Sequence, residues 1–142
     1  MPAVKITIVT ATLNARAYLP SLVKSLQAQT DLDFEWLVAD GGSSDGTQAL
    51  VREVRGLSVR LIESRDFGIY DALNRAISQV EDGYYLVVGA DDLLFKNAVA
   101  DFRACAALSL PDFVAASIQQ AGRTIPARRG LGWLYGMPGE AS

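Results

Sequence analysis

The stretch L-V-A-D-G-G-S-S-D-G-T, residues 37–47, passes from apolar to polar at Asp40 and decides how the chain is read. Its opening closes the run F-E-W-L-V-A (34–39), which predicts a strand. The turn formers at 40–46 end that strand abruptly. A helix over about 47–54 follows, completing a strand–loop–helix unit with its polar loop at the strand's carboxyl end.

The same unit recurs on either side. Upstream, V-K-I-T-I-V-T (4–10) predicts a mostly buried strand, 11–14 a loop, and 15–29 an amphipathic helix with Leu19, Leu22, Val23 and Leu26 on one face. Pro20 lies near its start, where a missing N–H costs little. Downstream come a strand at 58–63, a loop at 64–68, and a helix at 69–80 striped by Ile69, Ala72, Leu73, Ala76, Ile77 and Val80. A fourth strand, 84–88, is apolar throughout, which predicts a central position covered on both faces. It ends at Gly89-Ala90-Asp91-Asp92, before a helix over about 97–107 and a fifth strand at 112–118. Beyond Gln119 the pattern weakens, leaving Arg123, Arg128 and Arg129 as its main features. The alternation predicts an α/β fold, a parallel-dominated sheet with helices on both faces. Ligands of such sheets bind outside the carboxyl ends of the strands. The loops at 10–14, 40–45, 64–68 and 89–92 should therefore crowd one edge.

Composition narrows the chemistry. The chain has 142 residues, half of them hydrophobic, which fits one globular domain. It has no histidine, which excludes Ser-His-Asp and Cys-His catalysis and any imidazole-held zinc. Its single cysteine, Cys105, can form no internal disulfide and fits a reducing compartment. A metal would need oxygen ligands, which suits Mg²⁺ or Mn²⁺. A net charge of −3 gives no basic footprint for nucleic acid. The longest apolar run, 84–90, falls far short of the roughly 20 residues of a spanning helix. Neither a Gly-x-Gly-x-x-Gly fingerprint nor a P-loop is present.

Each polar cluster has a structural and a functional reading. Asp40 and the glycines after it form a turn in which Ser43, Ser44 or Asp45 caps the next helix. Alternatively Asp40 accepts from the edge of a base, its carboxylate staying solvated or ligand-bound at the strand end. Asp91-Asp92 either caps a helix or holds a divalent cation between phosphates. Arg65-Asp66 and Tyr70-Asp71 flank the start of the third helix, where their charged groups serve surface ion pairing, or else Asp66 lies near a sugar or base with the helix N-terminus toward a phosphate. Asn74 is either bonded within its helix or a ligand contact.

Taken together, I-T-I-V-T-A-T-L-N-A (6–15), L-V-A-D-G-G-S-S-D-G-T, E-S-R-D-F-G-I-Y-D-A-L-N-R-A-I (63–77) and V-V-G-A-D-D (87–92) resemble the family 2 glycosyltransferases of GT-A fold. The third motif is similar to a branch from bacterial polysaccharide clusters, the colanic-acid-type enzymes. The likeness runs in register over about 4–95 and extends to Gly136-Met137-Pro138. It implies a nucleotide pocket lined by Thr10, Thr12 and Asn14, with Asp40 on the base, Asp66 by the nucleotide and Asp91 toward the donor sugar. Asp92 would coordinate Mg²⁺ or Mn²⁺. The implied activity is transfer of a sugar from a nucleotide-diphosphate sugar, UDP-type favoured, to a glycan or lipid-linked hydroxyl. That places the protein in the cytoplasm, with peripheral association at the inner face of the membrane, and gives it no nucleic-acid partner.

Two departures accompany the likeness. The metal motif reads A-D-D, with Ala90 at its first position. Residues 1–95 correspond to a donor-binding half, and 96–142 to the start of an acceptor-side region expected to be truncated. No catalytic base is assigned, and Glu140 lies past the last match. Two other functions compete. A truncated, non-catalytic nucleotide-sugar-binding module would follow from the missing half. A nucleotidyltransferase would want a Gly-rich basic loop after the first strand, which 10–14 lacks.

Overall fold

In the computed structural model, residues 4–65, 68–112, 114 and 116–126 are described, and residues 1–108 and 109–142 form two compact units. The first unit carries β1 (Ile6–Thr12), α1 (Leu19–Gln27), β2 (Glu35–Asp40), α2 (Thr47–Glu53), β3 (Ser58–Glu63), α3 (Ile69–Ile77), β4 (Tyr84–Val87) and most of α4 (Ala98–Ser109). All four strands are parallel, in the order β3-β2-β1-β4. The chain winds outward from β1 to β3 and then returns to the far side of β1 for β4. The winding therefore reverses between β1 and β4.

Side-chain alternation sorts the core onto two faces. Ile6, Ile8, Trp36 and Val38 pack with Leu19, Leu22 and Leu26 of α1, Val51 of α2 and Val99 of α4. Val9, Leu37 and Ala39 pack on the other face with Ala72 and Ala76 of α3. Helices thus cover both faces, as the sequence predicts. The two alanines let α3 lie close to the sheet. Among the described residues no helix is long and apolar enough to cross a membrane.

Three expectations change. β1 runs on to Thr12, so Thr10 lies inside a strand and not on the loop. Its side chain is 0% exposed, and its Oγ1 accepts the indole N–H of Trp36 at 3.0 Å. β4 is an edge of the described sheet, not its centre, with Tyr85 and Val87 exposed. An apolar run shows that a strand is hydrophobic on both sides, but not what lies beside it. In the second unit, the described residues of 112–118 form no strand until Ile118. β5 (Ile118–Gln120) and β6 (Arg123–Ile125) instead make an antiparallel hairpin, turning at Ala121 and Gly122, both at positive φ. That geometry is the two-residue turn that suits hairpin twist.

The carboxyl end of β2 is locked by Asp40. Its side chain is 1% exposed and takes five hydrogen bonds. Oδ1 accepts the hydroxyls of Thr12 (2.7 Å) and Ser43 (2.6 Å). Oδ2 accepts the backbone N–H groups of Gly42 (3.1 Å) and Ser43 (2.8 Å) and the amide of Gln48 (2.7 Å). One carboxylate thereby ties β1, the loop after β2 and α2 together. Burial alone would raise its pKa, but the bonds from Ser43, Thr12 and Gly42 outweigh that and hold it below the usual carboxylate range.

Asp40→Ala strands several donors around a buried site, each worth about 1–3 kcal/mol. The variant should lose on the order of 3 kcal/mol and melt roughly 10 °C lower. The lowered folded pKa means that this stability is fully present above the unfolded value of about 3.9 and is lost as pH falls through the folded value. The difference in melting temperature between wild type and variant should therefore shrink in acid. Thermal melts across pH check both. Separately, Thr10→Val leaves the buried Trp36 N–H unpaired and should cost about 1–3 kcal/mol in denaturant titrations.

Candidate functional site

A cavity of about 410 Å³ opens where the winding reverses. In doubly wound sheets that is the position for a ligand crevice. The end of β1 and the chain after it supply Thr12, Leu13, Asn14 and Tyr18. The end of β4 supplies Val87 to Asp91, and the start of α3 supplies Gly68, Ile69, Ala72 and Leu73. The wall is chiefly apolar, with Thr12, Asn14, Tyr18 and Asp91 contributing its polar side chains.

Two loops are stitched together beside it. Asn14 takes a left-handed backbone conformation, φ 51°, which asparagine tolerates better than most residues. Its N–H donates to Ser43 Oγ at 2.8 Å, and its Oδ1 accepts the N–H of Ser44 at 2.8 Å. Arg16 N–H donates to Asp45 Oδ2 at 3.1 Å. The Thr47 hydroxyl also bonds Asp45, and these donors together hold its carboxyl below the usual range. The loop after β1 is thus braced by the loop after β2.

Asp91 and Asp92 sit on the turn that ends β4. The turn is closed reciprocally: Gly89 N–H donates to Asp92 Oδ2 at 2.8 Å, and Asp92 N–H donates to Gly89 C=O at 3.1 Å. A Cβ added at Gly89 would lie 2.8 Å from Asp92 Oδ2 and 3.1 Å from Asp91 Oδ1. Only glycine leaves room for both carboxylates to close over that point. Two adjacent carboxylates with oxygen-only chemistry fit a hard divalent cation. Among the described residues no group of three or more His, Cys, Asp or Glu converges to hold a metal.

Of the residues assigned from the sequence, Thr12, Asn14 and Asp91 line the cavity. Asp92 lies one residue beyond the lining, exposed, with its carboxylate on the Gly89 amide. Thr10 does not reach the cavity: it lies two residues inside β1, with its side chain in the core beside Trp36. Asp40 does not reach it either, and the expectation of a solvated carboxylate is overturned. β2 lies across β1 from the crevice, and the side chain is consumed by its own loop. Asp66 lies outside the described residues, as do Arg128, Arg129, Gly136-Met137-Pro138 and Glu140. Asn74 is exposed and away from the lining. Sequence reasoning misses Tyr18, which ends the turn before α1 and stands 59% exposed at the cavity. Its position just before the Leu19 stripe, out of phase with the buried face, is the signal that could have found it.

In sequence and in fold the chain is similar to known glycosyltransferases. A PGL/p-HBAD biosynthesis glycosyltransferase of Mycobacterium tuberculosis is 39% identical over 99 residues, which are 68% of this chain and 39% of that protein. The O-antigen chain rhamnosyltransferase RfbN of Salmonella typhimurium is 27% identical over 96 residues, 68% of this chain and 31% of its own length. Among solved structures, S. aureus TarS in complex with UDP-GlcNAc matches with a TM-score of 0.78 at 26% identity, covering 86% of this chain and 37% of that one. The chain thus spans between 31% and 39% of the length of these proteins. The model of glycosyl transferase family 2 matches residues 7–128, and with its parallel GT-A-type sheet the chain belongs to that family.

Proposed function

We propose that the protein is a glycosyltransferase that takes a sugar from a nucleoside diphosphate, UDP by preference, and passes it to a hydroxyl of a glycan or lipid-linked acceptor. The observation that carries this reading is the cavity at the β1–β4 reversal, lined by Thr12, Asn14 and Asp91 in a family 2 chain. TarS, crystallised with UDP-GlcNAc, supports the choice of uridine nucleotide. The apolar wall of Leu13, Tyr18 and Leu73 suits a base and ribose. Asn14 holds the pocket's shape through its bonds to the loop after β2. The amino end of α3 turns the positive end of the helix toward the diphosphate. Asp66, just before it, is assigned to the nucleotide from its motif alone.

Asp91 faces the donor sugar, and Asp91 and Asp92 would hold Mg²⁺ or Mn²⁺ against the diphosphate. When bound, the cation neutralises charge on the departing nucleoside diphosphate. The chain's own contribution is positioning, through the hydrogen-bonded turn after β4 and the braced loops after β1 and β2. Asp40 supports that pocket from beneath by fixing the loop after β2, and does not touch the base. An acceptor bound to lipid would bring the protein to the inner membrane face from the cytoplasm.

Isothermal titration of UDP with Mn²⁺ and with EDTA tests the reading. Binding should be tighter with Mn²⁺. Asp91→Asn and Asp92→Asn should each lose the Mn²⁺ increment by on the order of tenfold or more while melting as wild type does. No UDP binding under either condition would refute the assignment.

A further inference from the structure

The turn bearing Asp91 and Asp92 is fixed at both ends. Before it, Val88 N–H donates to Val9 C=O at 2.9 Å, which sets where β4 stops. After it, the chain is seized by the carboxyl end of α1. Leu94 N–H donates to Ser25 Oγ at 3.3 Å. Phe95 C=O accepts from Gln29 Nε2 at 2.8 Å, and Gln29 Oε1 accepts the N–H of Val99 at 3.1 Å. The same Nε2 donates to Ser25 C=O at 3.1 Å, which anchors the carboxamide to α1 itself. Thr30 adds two more bonds, from its N–H to Lys96 C=O and from its hydroxyl to Asn97 Oδ1.

Gln29 is the centre of this clamp. It is 5% exposed, and its carboxamide is used on both sides: donors to two carbonyls and an acceptor for an N–H in the first turn of α4. A carboxylate could not donate and a hydroxyl could not reach all three partners. In a buried setting such a polar group persists only when fully satisfied, and it then specifies one arrangement of the backbone around it. The backbone it specifies leads directly out of the Asp91–Asp92 turn.

We propose that Gln29, assisted by Ser25, is the positioning residue of the Asp91–Asp92 turn: it holds the outgoing chain so that both carboxylates stand together over Gly89. The inference rests on the reading of that turn as the cation and diphosphate site. With both ends anchored the turn has few conformations left to lose on binding. Freed at its far end, it must be ordered by the ligand.

The test is titration of UDP, with Mn²⁺ and with EDTA, into wild type, Gln29→Met, Ser25→Ala and Arg103→Met. Methionine keeps the length and apolar volume of Gln29 but not its bonds. Ser25→Ala removes only the Leu94 anchor and a bond to Leu22 C=O, and serves if Gln29→Met does not fold. Arg103→Met is the stability control. Its guanidinium ties α4 to Asp31, Asp33 C=O and Val4 C=O at the amino end of the sheet, away from the turn. In Gln29→Met the gain in affinity from Mn²⁺ should fall by on the order of tenfold, the lower end for residues that orient a ligand from behind, with UDP affinity in EDTA unchanged. Ser25→Ala should move the same way by less. Arg103→Met should melt lower yet keep the full Mn²⁺ gain. A full Mn²⁺ gain in both Gln29→Met and Ser25→Ala overturns the positioning role while leaving the site intact. Absence of any Mn²⁺ gain in wild type overturns the reading of the site and this inference with it.

Discussion

The carboxylate of Asp40 is the constraint on which the ligand-facing edge depends. Ionised and almost wholly buried, it is tolerable only because hydroxyl, amide and backbone donors surround it. Those donors belong to β1, to the loop after β2 and to α2, so one charge fixes three segments that are distant in sequence. From there the constraint passes outward. Ser43 is pinned by Asp40 and in turn receives the N–H of Asn14, while Ser44 closes on the Asn14 side chain. Asn14 then shapes the rim of the cavity.

Support and contact are thus divided between the two sides of β1. The side toward β2 and β3 holds polar groups that satisfy one another. The side toward β4 holds the crevice, whose polar groups stand at the surface. The division follows from winding order. β1 is the first strand and lies between β2 and β4, so the loops after β1 and β4 meet at the reversal. α3 crosses beneath that point on small alanines, which lets its amino end approach the same crevice.

Much of this organisation is legible in the amino-acid sequence. The 34–47 stretch marks a strand, a turn and a helix through residue types alone, and β3 falls at the expected bounds. The stripe Leu19, Leu22, Val23 and Leu26 is buried as its spacing requires. What the sequence does not carry is lateral. The apolar run of β4 does not say that it lies at an edge, and the motif around Asp40 does not say whether its carboxylate faces ligand or loop. Thr10 reads as a loop residue because the β-branched run stops there, whereas Thr12 pairs with Asp40 in register and carries β1 two residues further. The hairpin of β5 and β6 turns on Ala121-Gly122, a weaker signal than Asn-Gly. Gln29 gives no signal at all, since its three partners come together only when α1 and α4 pack.

The central claim is the proposal that Asp40, with the Thr12 hydroxyl, builds the pocket from beneath while Asn14 and Asp91 meet the nucleotide. A crystal structure of the protein with UDP and Mn²⁺ measures this directly. The account predicts the nucleotide between β1 and β4, the cation at Asp91 and Asp92, and all five hydrogen bonds of Asp40 intact. A uracil ring bonded to the Asp40 carboxylate, with Ser43 or Gln48 displaced, would contradict it.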